Sequence, residues 1–343
     1  MASKGQEVNR IMDLSDEMLI VKDLNVYCPL ALKGIRVKLL DDISFVVNRN
    51  DVLGLVGETG AGKSILIDAI GRNLQPPLLA EGDKLLVRLD HRLENLWQKD
   101  EEALRKIWGK EIAFIPPNAR DRLNPVLTVG KQLANIIEAN LQLSHGEAHQ
   151  KVVEMFKMVQ MPDPEQNFDS YAHELSGGMA QRVVISAALS TSPKLLLADE
   201  PTMGLDVTIQ TQVLDLMAKL VKELQSSVIL ATRDLGIVAN YCNKVAVLCN
   251  GQMAEFAEVK DFFKNAVHPY SHYLLAAAFA SHGRAVDLES TLTKSDIVET
   301  RSEAGCRFAN RCPLGKEICW SANPPERLIT ANHYVRCHGW DGR

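Results

Sequence analysis

Short apolar runs that alternate with turns mark the start of the chain and indicate a group of β-strands. Between Met18 and Val56 these runs are LIVKDLNVY, KLLDDISFVV and DVLGLVG. From Lys63 to about Asn73 the apolar residues take up helical spacing. The segment DEEALRKIW at 100–108 predicts a short helix with an acidic N-terminus. The first part of the chain therefore predicts strands that lead into helices.

Two apolar runs further along the chain predict buried parallel strands. KLLLADEP (194–201) and SVILAT (227–232) flank a long amphipathic helical stretch. KVAVLCNGQMAEF (244–256) predicts a hairpin that turns at Asn250-Gly251. Strands that alternate with helices predict an α/β fold in which crossovers connect the strands of a parallel sheet.

The remaining patterns suggest how the chain is divided. Several helical patterns predict an inserted helical subdomain at about 118–190. Polar residues without periodicity begin after about residue 280 and predict a linker, which a cysteine-rich stretch follows. We therefore expect a larger domain at 1–280 and a small C-terminal extension at 281–343.

Composition and charge restrict the class of protein. The chain has 343 residues, of which 46% are hydrophobic and 24% charged, as in ordinary globular proteins. The net charge of −5 argues against nucleic acid as the main partner. No apolar run reaches the roughly 18 residues that span a bilayer, and the polar N-terminus lacks an apolar signal region. We expect a cytosolic protein, which could still reach a membrane through a partner.

A glycine-rich motif, GETGAGKS, predicts a phosphate-binding loop between a strand and a helix. Its glycines allow backbone N–H groups to turn inward around phosphates, and the following helix N-terminus favours anions. Lys63 is expected to reach the β- and γ-phosphates, and Ser64 to bind Mg²⁺. The candidate nucleotide-binding residues of this motif are Gly57, Glu58, Thr59, Gly60, Ala61, Gly62, Lys63 and Ser64.

An acidic pair ends the first buried strand. Asp199 is expected to hold Mg²⁺ through water, and Glu200 to act as general base toward the attacking water. Such a pair can also be an ordinary strand end, and it becomes specific beside a phosphate loop. Asp199 and Glu200 are therefore candidate site residues.

A second motif, LSGGMAQR, predicts another anion site at a helix start. Ser176, Gly177 and Gly178 offer a hydroxyl and free N–H groups there. A plain N-capped helix is the alternative interpretation. A chain with two such helix starts is expected to bind its own nucleotide at one and to complete a partner's nucleotide site with the other.

These motifs together resemble those of the ATP-binding-cassette (ABC) ATPases. GETGAGKS resembles Walker A, LLLADE resembles Walker B, LSGGM resembles the family signature, and MGLD at 203–206 resembles the D-loop. The order and spacing match over roughly 18–260. EALRKIWGKEIAFI, RLNPVLTVGKQL, HPYSHYLLAAA and GCRFANRCPLGKEIC are similar to stretches of the oligopeptide/dipeptide/nickel importer subunits. The resemblance thus covers nearly the whole chain.

The resemblance implies a P-loop ABC ATPase core with a mixed sheet, an antiparallel edge subdomain, an inserted α-helical subdomain and a small cysteine-rich C-terminal extension. It implies a head-to-tail dimer in which ATP lies between Walker A of one chain and the signature of the other. The partners that it implies are a second ABC ATPase subunit, two transmembrane permease subunits and, indirectly, an extracytoplasmic solute-binding protein. The chain would then be peripheral, at the cytoplasmic face of the inner membrane.

On this resemblance the chain is a translocating ATPase that couples ATP binding and hydrolysis to peptide import. Three alternatives remain open: import of nickel or another small solute, a soluble ABC ATPase of DNA repair or translation, and a regulatory cassette that does not hydrolyse ATP. The soluble ATPases usually carry a coiled-coil insert or two cassettes in one chain, and neither pattern is found in this sequence.

Two positions depart from the family. In place of the histidine of a THDLG-like run stands Arg233, which stays charged and cannot exchange protons near neutral pH. Ile115 falls where the glutamine of an FQDP-like run is expected, and glutamine is absent from 99–131. We therefore expect an asymmetric heterodimer in which this chain's own site binds ATP and turns over slowly. The alternative is a slower working site with Glu200 and Arg233 as catalytic residues.

The resemblance also implies an aromatic residue near the start of the chain that stacks on the nucleotide base. Tyr27 in LNVYCP is the candidate, although Cys28 aligns equally well with that place. Tyr27 is as readily interpreted as an ordinary strand residue.

Four of the seven cysteines crowd into the end of the chain. So short a segment cannot build much core, and a bound metal would explain how it stays ordered. The resemblance associates this pattern with a [4Fe–4S] cluster, while structural Zn²⁺ remains the alternative. The spacing lacks paired C-x₂-C knuckles, which favours the cluster. The candidate ligands are Cys306, Cys312, Cys319 and Cys337.

Overall fold

The computed structural model describes residues 16–29, 36–281 and 304–340. Its first sheet consists of β1 (Glu17–Pro29), β2 (Arg36–Asn48), β4 (Leu79–Glu81), β5 (Lys84–Leu89) and β6 (Arg92–Asn95). These strands are antiparallel, in the order β2-β1-β5-β6, and β4 pairs with β1. Leu19, Leu24 and Val26 of β1 point into the core. This sheet is the expected antiparallel edge.

The second sheet is mixed and carries the predicted buried strands. It consists of β3 (Val52–Val56), β7 (Ile112–Ile115), β8 (Leu195–Asp199), β9 (Ser227–Thr232), β10 (Lys244–Cys249), β11 (Gln252–Glu258), β12 (Glu326–Thr330) and β13 (His333–Arg336). The strand order is β12-β13-β11-β10-β3-β9-β8-β7, and the five strands from β10 to β7 are parallel. Every residue of β8 and β9 is buried. Their continuous apolar runs follow from this burial on both faces.

Helices cover both faces of the sheet, and some of them form a separate helical group. They are α1 (Lys63–Ile70), α2 (Glu101–Ile107), α3 (Ala119–Arg122), α4 (Val129–Leu141), α5 (His145–Met158), α6 (Pro164–Phe168), α7 (Gly177–Leu189), α8 (Val207–Leu224), α9 (Leu235–Tyr241), α10 (Val259–Asn265), α11 (Pro269–Ser281) and α12 (Ile318–Ser321). Asp100 caps α2 by accepting from the N–H of Ala103 at 2.8 Å, as the acidic start predicts. Helices α3 to α7 fill the stretch in which helical patterns are predicted.

The predicted hairpin at 244–256 is confirmed. It is formed by β10 and β11, and Asn250 and Gly251 have φ angles of 45° and 86°. Both values lie in the left-handed region that the tightest hairpin turns require. The N–H of Gly251 donates to the carbonyl of Ala61 at 2.8 Å, so this turn supports the phosphate loop.

The C-terminal extension, of which residues 304–340 are described, adds a hairpin to the main sheet. β13 pairs with β11 and with β12, and Tyr334 stacks on Phe256 with ring centroids 4.9 Å apart. Arg307 and Arg336 bind the adjacent carboxylates Asp41 and Asp42 at 3.3 and 2.8 Å. The sequence analysis missed this hairpin because its strands are short and weakly patterned.

Candidate functional site

The phosphate loop follows β3 and ends at the start of α1, as the motif requires. Gly60 and Gly62 have φ angles of 82° and 105°, which side chains other than glycine rarely adopt. A Cβ on Gly57 would lie 2.2 Å from the carbonyl oxygen of Leu248. The three glycines are therefore needed for the shape of the loop, which turns its backbone toward the space above α1.

Lys63 is buried at the first position of α1. Its ammonium donates to the carbonyls of Gly57 at 2.8 Å and Glu58 at 3.2 Å. Burial lowers the pKa of Lys63, and the nearby carboxylates of Glu200 and Asp199 act in the opposite direction. The lysine thus lies inside the loop, as expected of a side chain that reaches for phosphates.

The residues expected to hold Mg²⁺ fit that ion. Asp199 ends β8 beside the loop, and its buried Oδ1 atom has no hydrogen-bond partner among the described residues. Ser64 is exposed at the start of α1. A carboxylate oxygen without a partner and a free hydroxyl are ligands that Mg²⁺ accepts beside nucleotide phosphates.

Glu200 and Arg233 lie together at the carboxyl ends of neighbouring strands. The Nε atom of Arg233 is 3.2 Å from Oε1 of Glu200, and Nη1 donates to Oγ1 of Thr59 at 3.4 Å. The ammonium of Lys63 is 4.0 Å from the same Oε1 atom. Glu200 has a φ of 43°, a left-handed value that is uncommon for residues other than glycine. The arginine therefore bridges the candidate general base and the phosphate loop.

A cleft of about 190 Å³ opens beside this bridge. Glu200 and Arg233 line one part of it, and Met203, Gly204 and Leu205 of the D-loop-like run line another. Glu200 and Arg233 thus face an open space that the D-loop-like run also lines.

That Ile115 takes the place of the family glutamine stays a prediction. Ile115 is the last residue of β7, its Cα pairs with that of Ala198, and its side chain is fully buried in the core. The residues that leave the sheet after it are Pro116 and Pro117, and neither can offer a side-chain amide. The absence of glutamine from 99–131 is unchanged.

The second motif lies at the start of α7, away from the phosphate loop. Ser176 caps the helix by accepting from the N–H of Met179 at 3.2 Å. Ser176 and Gly177 are exposed, and a Cβ on Gly178 would lie 2.6 Å from Cγ2 of Ile209. The serine is therefore an N-cap, and the helix start that it caps is open to solvent.

Tyr27 is a partly exposed residue of β1. The ammonium of Lys38 lies over its ring, 5.6 Å from the centroid. Burial and a hydrogen bond to Glu81 raise the pKa of Tyr27. Stacking of Tyr27 on a nucleotide base remains a prediction.

The predicted [4Fe–4S] cluster, with Zn²⁺ as its alternative, is wrong. Within residues 16–29, 36–281 and 304–340, no group of three or more His, Cys, Asp or Glu side chains is placed to hold a metal ion. Cys306, Cys312, Cys319 and Cys337 are free cysteines. Burial raises the pKa of Cys306 to about 12 and also raises the pKa of Cys312. The strand β13 of the extension joins the main sheet through β11.

Sequence reasoning missed two residues that contact the phosphate loop. Arg311 binds the carboxylate of Glu58, and the hydroxyl of Tyr270 accepts from the N–H of the same residue. Both lie in runs that carry the family resemblance, HPYSHY and FANRCP. No periodicity or spacing indicates that these runs, more than 200 positions away in the chain, meet the loop.

Comparison with known proteins agrees with the geometry. Residues 40–203 match the ABC transporter family, and residues 254–319 match the oligopeptide/dipeptide transporter C-terminal region. The oligopeptide transport ATP-binding protein AppD of Bacillus subtilis is 38% identical over 301 residues, which are 87% of this chain and 90% of that protein. OppD of the same organism is 36% identical over 323 residues, 93% of this chain and 88% of that protein.

Solved structures agree on the fold. A dimeric ATP-binding cassette, MJ0796 bound to ADP and Pi, has a TM-score of 0.60 at 23% identity and covers 71% of this chain and 99% of its own. CbiO1 from Clostridium perfringens, part of the ABC transporter complex cbiONQ, has a TM-score of 0.58 at 27% identity, with 73% and 92% covered.

These findings confirm the expected fold class and the resemblance on which the functional expectation depends. Among the described residues, no helix is both long enough and apolar enough to cross a bilayer. The relatives cover most of this chain and most of their own length at more than 30% identity. The chain belongs to the ATP-binding ATPase subunits of the oligopeptide/dipeptide ABC transporters.

Proposed function

We propose that this chain is the less active half of an asymmetric heterodimer in a peptide importer. Its own site binds ATP with Mg²⁺ through the phosphate loop, Ser64 and Asp199, and turns it over slowly. The start of α7 completes the ATP site of a second ABC ATPase subunit, where most hydrolysis takes place.

The bridge formed by Arg233 is the observation that carries this proposal. A general base must lie within hydrogen-bond reach of the water whose proton it accepts. Here Oε1 of Glu200 has the guanidinium of Arg233 at 3.2 Å and the ammonium of Lys63 at 4.0 Å. Arginine stays protonated, so it cannot take part in the proton exchange that a histidine allows. The arrangement supports a site that holds nucleotide and hydrolyses it poorly.

The segment after β7 supports the same conclusion. Pro116 and Pro117 follow the buried Ile115, and glutamine is absent from 99–131. This segment therefore lacks the glutamine that would orient water beside Mg²⁺. The start of α7, by contrast, keeps Ser176, Gly177 and Gly178.

The proposed assembly follows from this division. We infer a second ABC ATPase subunit, two transmembrane permease subunits and, indirectly, an extracytoplasmic solute-binding protein, with this chain at the cytoplasmic face of the membrane. Residues 1–280 form the nucleotide-binding domain, with its helical subdomain at about 118–190, and residues 281–343 form the extension. ATP-driven closure of the two cassettes would move the permease subunits.

The proposal is tested by removing one general base at a time. ATP hydrolysis by the assembled complex is measured with Glu200→Gln in this chain and, separately, with the matching substitution in the partner. We expect the partner's substitution to abolish hydrolysis and Glu200→Gln to remove only a small part of it. Loss of half or more of the activity in Glu200→Gln would show that Arg233 serves a working site.

A further inference from the structure

An ion pair joins the C-terminal extension to the phosphate loop. The guanidinium of Arg311 donates to both carboxylate oxygens of Glu58, from Nη1 to Oε2 at 2.6 Å and from Nη2 to Oε1 at 2.9 Å. The two residues are 253 positions apart in the chain. A bidentate contact of this kind fixes the relative orientation of the two side chains as well as their distance, because the planar guanidinium matches the carboxylate.

Aromatic side chains also hold the guanidinium of Arg311 in place. It lies over the rings of Tyr273 and Phe308, 5.1 and 5.6 Å from their centroids. The hydrogen bonds from Arg311 lower the pKa of Glu58, and those to Glu58 raise the pKa of Arg311. The side chain of Arg311 is only 21% exposed. Aromatic packing on one side and the carboxylate on the other leave it little freedom.

The backbone of Glu58 is fixed as well. Its N–H donates to the hydroxyl of the fully buried Tyr270 at 2.9 Å, and the ring of Tyr270 packs on Phe308. Its carbonyl accepts from the ammonium of Lys63 at 3.2 Å. A displacement of the Glu58 side chain would therefore also move the carbonyl that holds the phosphate-binding lysine.

We propose that Arg311 is a positioning residue, which holds the phosphate loop through Glu58 in the shape that receives ATP. It follows that ATP binding at this chain's own site and docking of the extension favour one another, since both require the same loop conformation. This inference rests on the proposed function only in that the phosphate loop binds ATP. It does not depend on which of the two sites hydrolyses it.

The extension has other attachments, which make the contact testable. Arg336 binds Asp42 at 2.8 Å, and β13 pairs with β11. Arg311→Gln should therefore leave the extension docked and the chain folded. Arg336→Gln is the matched control, because it removes an arginine–carboxylate pair of the same extension at a point away from the loop.

The experiment measures the Kd of ATP with Mg²⁺ for the full-length chain and its variants. We expect Arg311→Gln and Glu58→Gln each to weaken binding about tenfold, and the double variant to lose no more than either alone. Arg311→Lys keeps the charge and loses the second hydrogen bond, so we expect an intermediate Kd. Arg336→Gln should bind ATP like the wild type.

Hydrogen exchange distinguishes a positioning role of Arg311 from a merely structural one. ATP should slow amide exchange at 305–320 in the wild type and leave it unchanged in Arg311→Gln. The proposal is overturned if Arg311→Gln binds ATP within about twofold of the wild type, or if Arg336→Gln weakens binding equally. If the wild type binds no ATP, this proposal and the proposed function both fail. If Glu200→Gln halves hydrolysis while Arg311 still controls affinity, only the asymmetry fails.

Discussion

The two helix starts that the sequence marks for anions have different surroundings. The loop before α1 is contacted by Arg233, Tyr270 and Arg311, three residues from distant parts of the chain. The start of α7 is exposed, and its serine accepts from an N–H of its own helix. The loop is thus held by contacts from within the chain, whereas the start of α7 is open to solvent. A restrained site suits binding, and an open helix start suits a contribution to chemistry elsewhere.

The largest effect is expected at the exposed start of α7. Ser176→Arg places a long cation at the start of α7, where the partner's nucleotide is expected, and should lower ATP hydrolysis of the assembled complex about a hundredfold. Ser176→Thr, which keeps a capping hydroxyl, should retain most of the rate. Steady-state ATP turnover measures both variants. A rate that Ser176→Arg leaves within about twofold of the wild type would contradict the assignment of α7 to a partner's site.

A smaller effect, an increase in the rate of hydrolysis, is expected at the restrained site before α1. Arg233→His frees Oε1 of Glu200 and supplies a group that exchanges protons. In a complex whose partner carries the matching Glu-to-Gln substitution, we expect the residual hydrolysis to rise about tenfold. Arg233→Lys is the control, because it keeps a cation and adds no imidazole. A fall in rate on Arg233→His would identify Arg233 as a working replacement for the histidine.

The sequence predicts most of the fold because the sheet is built from continuous apolar runs. The runs of β8 and β9 are buried on both faces, and the turn at Asn250-Gly251 requires left-handed residues. Single-residue contacts between distant segments were not predictable. Neither the bridge from Arg233 to Thr59 nor the contact of Arg311 with Glu58 leaves a periodic trace in the sequence.

Neighbouring strands determine the surroundings of both Ile115 and the C-terminal cysteines. Ile115 is the last residue of β7, and its side chain is buried in the core. The metal prediction for the cysteines treats the extension as a separate segment. In the structure β13 joins β11, and the large sheet supplies the packing that a separate segment would lack. In both cases the neighbouring strand decides the role of the residue.

The extension contacts the restrained site and not the open one, and His333 is central to how it docks. The ring of His333 is buried, with Nε2 2.7 Å from Oε1 of Glu255 and Nδ1 2.7 Å from Oδ2 of Asp261. Donation to two carboxylates requires the protonated imidazole. Burial favours a lower pKa, but the two carboxylates outweigh it and raise the pKa of His333. Burial likewise works to raise the pKa of Glu255, and its hydrogen bonds, from His333 first, lower it.

The smallest expected effect is a pH dependence of this docking. Because the folded state raises the pKa of His333, the stabilisation is complete below the unfolded value of about 6.5 and is lost as the pH rises through the folded value. The lowered pKa of Glu255 makes its own contribution disappear as the pH falls below about 4.5.

His333→Gln should therefore lower Tm by about 2–4 °C at pH 6 and by less at pH 9. His145→Gln, at an exposed histidine of α5, is the control. A loss of Tm that is equal at both pH values would show that shape, and not charge, holds the extension.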